Sequence, residues 1–274
     1  MIDSHIHFWN YHPVKDAWIT DDMKVIQRDF LPDELEAIYR NHGVEGCVAV
    51  QADQSEQETE FLLSLAEKRD FIKGVVGWID LRSEKLPEKL AEFSKDSKLK
   101  GWRHIVQAEP AGFMSSHSFL RGIAALKAYN YTYDILINKN QLTEAIELIA
   151  KFPEQRFVLD HIAKPNIKAK DGDLEWKGNI RKLAKHSNVY CKVSGMVTEA
   201  DWQNWKPSDM QFYLDTVFES FAIDKLMFGS DWPVCTLAAN YGETKQIVTD
   251  YTNQLTDVQR KAVFELNAKT CYQL

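Results

Sequence analysis

The chain has 274 residues, 45% hydrophobic and 27% charged, the balance of a globular protein with a large core. Its formal net charge of −7 excludes a general nucleic-acid or anionic-membrane surface. The four cysteines, Cys47, Cys191, Cys235 and Cys271, form no C-x-x-C pair, so a zinc ribbon and a dithiol redox motif are excluded as well.

Three of those cysteines sit in or beside apolar runs and are expected to be buried thiols, which fits a reducing compartment. No stretch approaches the length of a membrane span. Polar residues interrupt "MIDSHIHF" at once, leaving no room for a signal peptide, and a cytoplasmic location is expected.

In chain order, a short apolar run followed by an amphipathic stretch recurs. "MIDSHIHF" predicts a first strand ending in His5 and His7, and Leu35, Ile38 and Tyr39 fall at helical spacing behind Pro32. "EGCVAVQ" predicts a second strand ending in Gln51; Ser55 and Glu58 then predict a capping box before Phe61, Leu62 and Leu65. "FIKGVVGWIDL" carries Trp78 and Asp80, and "LKGWRHI" ends in Arg103 and His104. "YTYDILI" offers Asp134, with Asn138 beyond it, and Asn140 reads as the N-cap of a helix bearing Leu142, Ile146 and Ile149. "RFVLDHI" ends in Asp160 and His161, "NVYCKVSG" carries Lys192 and Ser194, and Phe212, Val217 and Phe221 belong to a further helix. "DKLMFGSDW" ends in Asp231, and Thr256 with Gln259 predicts the cap of a last helix bearing Val263 and Leu266.

Eight such repeats with no linker predict an α/β protein, one (β/α)8 TIM barrel over residues 1–274. An open doubly wound sheet is the alternative, but it would carry a glycine-rich phosphate turn after its first strand, where this chain has "HIHFWNYHP".

Barrel enzymes hold their chemistry at the carboxyl ends of the strands. Residues two apart share a strand face, so His5 pairs with His7 and Lys192 with Ser194. Adjacent Asp160 and His161 should face opposite ways, and His161 is taken as the inward one. Singly, each residue has a plainer reading: Arg103 in a rim ion pair, Lys192 at a solvated strand end, Asp231 capping a turn, Gln51 satisfying backbone groups. Together they are harder to dismiss, because polar groups on buried strands are costly unless paired. Gln51, Trp78, His104 and Lys192 are expected to meet substrate. Trp9, Trp102 and Trp232 flank these positions; core packing accounts for at least one, and any other would make a stacking platform. His12, His42, His117 and His186 read as surface residues.

The ordered set "DSHIHFW", "GWRHIVQ", "LDHIAKP", "CKVSG", "MFGSDWPV" and "NAKTCYQL" resembles the amidohydrolase superfamily. More narrowly it resembles the branch containing L-fuconolactone and L-rhamnonolactone hydrolases and 2-pyrone-4,6-dicarboxylate lactonase. The resemblance implies a (β/α)8 fold and hydrolysis at a carbonyl. It makes His5 and His7 the first-strand pair, His161 the later histidine, Asp231 the acceptor of the attacking water's proton, and Arg103 an arginine near substrate. Metal-binding members usually add a strand-four lysine or glutamate and a strand-five histidine; here strand four offers Arg103, and "YTYDILI" has no histidine. A two-metal site is therefore not expected.

The resulting expectation is a lactonase acting on a small sugar lactone, with no organic cofactor. At most one divalent ion, zinc or manganese, is weakly held by His5, His7 and Asp231, with His161 nearby, and is not required. A lactone is an activated ester, so hydrogen-bond donors can supply much of the oxyanion stabilisation. The rivals are a metal-dependent amidohydrolase or non-oxidative decarboxylase of the same superfamily, and a non-catalytic sugar-acid binding barrel. The retained Asp231 argues against the last, since binding alone needs no base.

Overall fold

A computed structural model describes residues 1–274. Eight parallel strands form one sheet in sequence order: β1 (Ile2–Ile6), β2 (Gly46–Val50), β3 (Ile72–Gly77), β4 (Leu99–His104), β5 (Thr132–Ile135), β6 (Phe157–Leu159), β7 (Val189–Val193) and β8 (Leu226–Phe228). Each lies inside the apolar run that predicted it. Beyond the last rungs, the His7 N–H donates to the Trp232 carbonyl at 2.7 Å and the Asp231 N–H to the His5 carbonyl at 2.9 Å. These bonds join the first strand to the last, giving a (β/α)8 barrel.

The outer layer comprises α1 (Pro32–His42), α2 (Glu56–Lys68), α3 (Leu86–Phe93), α4 (His117–Leu126), α5 (Leu142–Lys151), α6 (Leu174–Leu183), α7 (Pro207–Ser220) and α8 (Tyr241–Thr252). Pro32 opens α1 and Gly43, at φ +65°, closes it, the usual division of labour between these residues. Ser55 caps α2, accepting from the Glu58 N–H, but the Glu58 carboxylate turns to the Ala52 N–H, so the predicted box is half formed. The predicted cap of α5 is displaced: a 3-10 turn, Lys139–Gln141, precedes the helix, and Asn138 rather than Asn140 caps it with Gln141 reciprocating. Thr256 and Gln259 form their complete box at α9 (Asp257–Lys261). A π turn, Ala262–Leu266, then leads into α10 (Asn267–Tyr272); it buries Val263 and leaves Leu266 exposed. No helix is long and apolar enough to cross a membrane.

The main core lies between strands and helices, while a smaller apolar layer fills the bottom of the barrel. Ile2, Val48, Val50, Val76 and Val158 meet there, sealed by Ala268, Cys271 and Tyr272 of α10. A register shift in β1 between Asp3 and Ile6 inserts one residue relative to β2. Such a bulge reverses the alternation of faces, so Ile2 joins the bottom layer while His5 also points inward. All four cysteines are buried and free.

Candidate active site

Three imidazoles surround one carboxylate at the mouth of the barrel. Asp231 Oδ1 lies 3.4 Å from His7 Nε2 and 3.8 Å from both His5 Nε2 and His161 Nε2. All four side chains are buried. His7 Nδ1 is 2.7 Å from the Val50 carbonyl, an acceptor only, so that nitrogen carries a proton and Nε2 is the one turned to the cluster. His161 Nδ1 is 2.9 Å from Ser194 Oγ. Burial alone would raise the Asp231 carboxyl, but His161, His7 and His5 outweigh it and hold the group well below the usual carboxylate range. Burial pushes His161 down to about 4, against the pull of Asp231.

The backbone that presents these groups is strained. His161, Ile162, Ala163 and Lys164 all have φ between 46° and 61°, and Asp231 has φ 59°. Left-handed conformations cost on the order of 1–2 kcal/mol for each non-glycine residue; here the Trp176 indole N–H bonded to the Ile162 carbonyl at 2.8 Å helps hold the turn. The turn also overrides strand alternation. Asp160, expected to face away from the interior, enters it together with His161, because β6 ends at Leu159 and the following residues wind the other way. Gly195 supplies φ +66° behind this turn, where a Cβ would come within 2.7 Å of the His161 ring.

Beneath the imidazoles lies a fully buried charged layer. Arg103 Nη1 donates to Asp160 Oδ2 at 3.0 Å, and its Nη2 donates to the Gln51 carbonyl. Lys192 Nζ lies 2.6 Å from Asp134 Oδ2 and 2.9 Å from Asp160 Oδ1, and the Tyr272 hydroxyl donates to Asp134 Oδ2 at 2.6 Å. Barrel interiors are commonly filled with branched apolar side chains, and buried ions persist only when paired and hydrogen-bonded. Burial would raise the Asp160 carboxyl, but Lys192, His5 and Arg103 hold it well below the ordinary range.

The mouth encloses a cavity of about 310 Å³, within the range of small-molecule sites. His7, Arg103, His161 and Asp231 line it, so four of the five expected catalytic side chains open onto one space, and His5 stands behind them. The residues expected to meet substrate sit elsewhere. Lys192 is sealed in the charged layer, and Gln51 is buried with its amide N–H on the Arg103 carbonyl. The Trp78 indole N–H donates to His104 Nδ1, whose Nε2 faces Glu109, a polar chain beside the cavity rather than in it. The cavity wall is instead Trp18, Ala52, Ile105, Ala108, Leu136 and Val234, with Gln54, Gln107 and Lys164 as polar groups. Trp9, Trp102 and Trp232 are each 1% exposed and belong to the core; Trp18, 40% exposed, is the indole at the mouth. It comes from the long segment between β1 and α1, which has no apolar run to announce it. "HIAKP" and "ADQS" do carry Lys164 and Gln54 directly after strand ends, and that position is the signal that could have found them.

The donor set fits one metal ion. His5, His161 and Asp231 offer ligand atoms within 4.8 Å of one another, and His5 Nε2 is 3.2 Å from His7 Nε2. Two imidazole nitrogens on one tetrahedral zinc at about 2.0–2.1 Å lie about 3.3 Å apart. No second cluster of three such residues accompanies it.

The chain is 40% identical over 284 residues to an L-fucono-1,5-lactonase of Burkholderia multivorans, covering 100% of this chain and 96% of that one. It is 33% identical over 247 residues to an L-fucono-1,5-lactonase of Burkholderia ambifaria, covering 88% and 83%. A crystal structure of an amidohydrolase from Burkholderia multivorans with bound zinc superimposes with a TM-score of 0.96 at 40% identity, covering 100% of this chain and 99% of the other. The amidohydrolase family model matches residues 2–274, and the chain belongs to that family.

Proposed function

We propose that this protein is a lactonase: it opens a sugar lactone of the L-fucono or L-rhamnono type by attack of water on the ring carbonyl. The observation that carries the reading is the ionised Asp231 carboxylate on the wall of a small, mostly apolar cavity, with Arg103 opening onto the same space. Lactonase relatives that align over most of the chain support it. Asp231 takes a proton from the attacking water. Arg103 and imidazole N–H groups donate to the carbonyl oxygen as it gains charge, an effect of about 3 kcal/mol per well-placed donor. Asp231 then returns the proton to the departing ring oxygen, leaving a hydroxy acid that ionises to its carboxylate. The apolar wall suits the methyl group and C–H faces of a deoxy sugar, while Gln54, Gln107 and Lys164 suit its hydroxyls.

His5, His7, His161 and Asp231 would hold a single divalent ion, zinc or manganese. When bound it supplies Lewis-acid polarisation of the carbonyl and a more acidic water. We take it to be weakly held and not required, because strand four contributes Arg103 and strand five Asp134, where further ligands would stand. The reading is tested with purified protein on a panel of aldonolactones, alkyl esters, cyclic amides and carboxylated phenols. Acid release from aldonolactones above the spontaneous rate is expected. Equal or better turnover of amides, or loss of carbon dioxide from the phenols, would replace it with the amidohydrolase or decarboxylase reading.

A further inference from the structure

The seam at which the barrel closes has no regular ladder. Strand pairing runs from β1 through to β8, but between the last strand and the first the one bridge is Ile6 to Trp232, beyond the end of β8, and β8 itself is three residues long. Side chains of β1 supply what the backbone does not. The Ser4 hydroxyl donates to the Phe228 carbonyl at 2.7 Å. Asp3 Oδ1 accepts the Ser230 N–H at 2.9 Å and the His5 N–H at 3.2 Å. Its other oxygen accepts from the hydroxyls of Tyr39 on α1 at 3.3 Å and Tyr241 on α8 at 3.1 Å. Asp3 is 0% exposed, and these donors are all uncharged. A carboxyl buried among neutral donors is costly compared with an apolar side chain. What it does that an apolar side chain could not is hold the turn after β8.

That turn carries Asp231, at φ 59°. Each N–H around it is taken: that of Ser230 by Asp3, that of Asp231 by the His5 carbonyl at 2.9 Å, and that of Trp232 by Ser230 Oγ at 3.1 Å. The Trp232 bond is internal to the turn and the Asp231 bond adjoins the bridge; the Ser230 bond is the one made to a side chain of another strand. The seam is also closely packed, since a Cβ on Gly229 would come within 2.8 Å of the His5 Cβ.

We propose that Asp3 is a positioning residue for the hydrolysis: through the Ser230 N–H it sets where the Asp231 carboxylate meets the attacking water. Asp3 does not line the cavity, so it acts only through the turn. Its part is that of an acceptor, which an amide oxygen can fill, while the rotatable tyrosine hydroxyls can accept from the amide nitrogen. The inference rests on Asp231 being the base; misplacing a reacting group by about 1 Å costs on the order of 100-fold.

The test is a double-mutant cycle in the full-length protein on a neutral aldonolactone, run beside amide hydrogen exchange. Asp3→Ala should lower kcat at least about tenfold with KM little changed, and Asp3→Asn should restore most of that loss. In the Asp231→Asn background, Asp3→Ala should cost less than about threefold, because the group it positions is already gone. Equal losses in both backgrounds overturn the proposal, as do a wild-type kcat in folded Asp3→Ala and an Asp3→Asn protein no better than Asp3→Ala. Exchange at the Ser230 and Asp231 amides should quicken in Asp3→Ala at least about tenfold relative to the Tyr133 amide on the far side of the barrel; quickening shared by all three is general loosening and overturns it too. If Asp3→Ala does not fold, Tyr241→Phe, which takes one donor from Asp3 Oδ2, replaces it in both measurements, with a smaller loss expected and the same dependence on Asp231 deciding. If the wild type opens no aldonolactone, the lactonase reading falls, and the exchange result alone decides whether Asp3 holds the Asp231 turn.

Discussion

Replacing Asp231 by asparagine separates the carboxylate's chemistry from its place in the fold. Asparagine keeps the shape and is among the residues that best tolerate positive φ, so the backbone at φ 59° should be undisturbed. What is lost is the acceptor for the water's proton. Losing a positioned general base costs roughly 100-fold or more in kcat, equivalent to about 2.7 kcal/mol of transition-state stabilisation. Because the interaction is made with the attacking water and not with the lactone, kcat and kcat/KM should fall together. The assay is acid release from a neutral aldonolactone followed with a pH indicator, with the spontaneous rate subtracted. Asp231→Ala, run beside it, should lose activity to the same degree and also melt lower, since alanine is strained at this φ. A folded Asp231→Asn protein with kcat within about tenfold of wild type, set against that expected loss, would refute the assignment of Asp231 as base.

Three further outcomes are expected. Chelator-treated protein, shown to be metal-free, should retain most of its lactone turnover; loss of activity with the metal and stoichiometric return on adding zinc or manganese would make the imidazoles ligands first and the mechanism above wrong. Trp18→Ala removes the half-exposed indole that stands edge-on to Trp9 at 5.9 Å and lines the mouth; KM for an aldonolactone should rise about tenfold with little change in kcat, and an unchanged KM would take Trp18 out of substrate binding. His104 is buried, and burial depresses its pKa below 6.5 despite Glu109. Below pH 6.5 the unfolded chain takes a proton that the folded one refuses, so stability is lost as the pH falls from 6.5 toward the depressed value. Between pH 7 and pH 5, wild type should therefore lose more urea stability than His104→Gln; equal losses would remove His104 as a contributor.

The strands were legible because their apolar runs are short, rich in β-branched residues and separated by helical spacing, as with "EGCVAVQ" and β2. The strand-end rule then singled out His7, Arg103, His161 and Asp231, which line one cavity, and His5 behind them. It failed where the backbone leaves ideal geometry. Alternation selected His161 over Asp160, but four consecutive left-handed residues turn both inward, and no pattern of residue types encodes that. The rule also treated depth along a strand as one level. Lys192 is the fourth residue of β7 and Asp134 the third of β5, and both lie below the imidazoles, where they meet each other rather than substrate. Trp18 escaped for a different reason: it lies in a long connection whose path is set by tertiary pairing, the Trp9–Phe30 bridge among others.

The charged layer bears on how the site handles its product. Asp134, Asp160 and Asp231 contribute three negative charges, and Arg103 and Lys192 two positive ones, a balance of −1 within the barrel. Lys164 at the cavity wall faces Glu199 at 3.8 Å and adds nothing net. A lactone is neutral and is not repelled by this balance, but the aldonate formed from it is an anion next to a net negative site with low dielectric. Coulomb repulsion across a few ångströms in such surroundings is large compared with thermal energy even at an effective dielectric of about 20, so this negative balance favours departure of the acid. A resident divalent ion would reverse the sign to +1 and hold the product. A site that keeps its net negative balance is thus suited to hydrolysis that must release a carboxylate at every turnover.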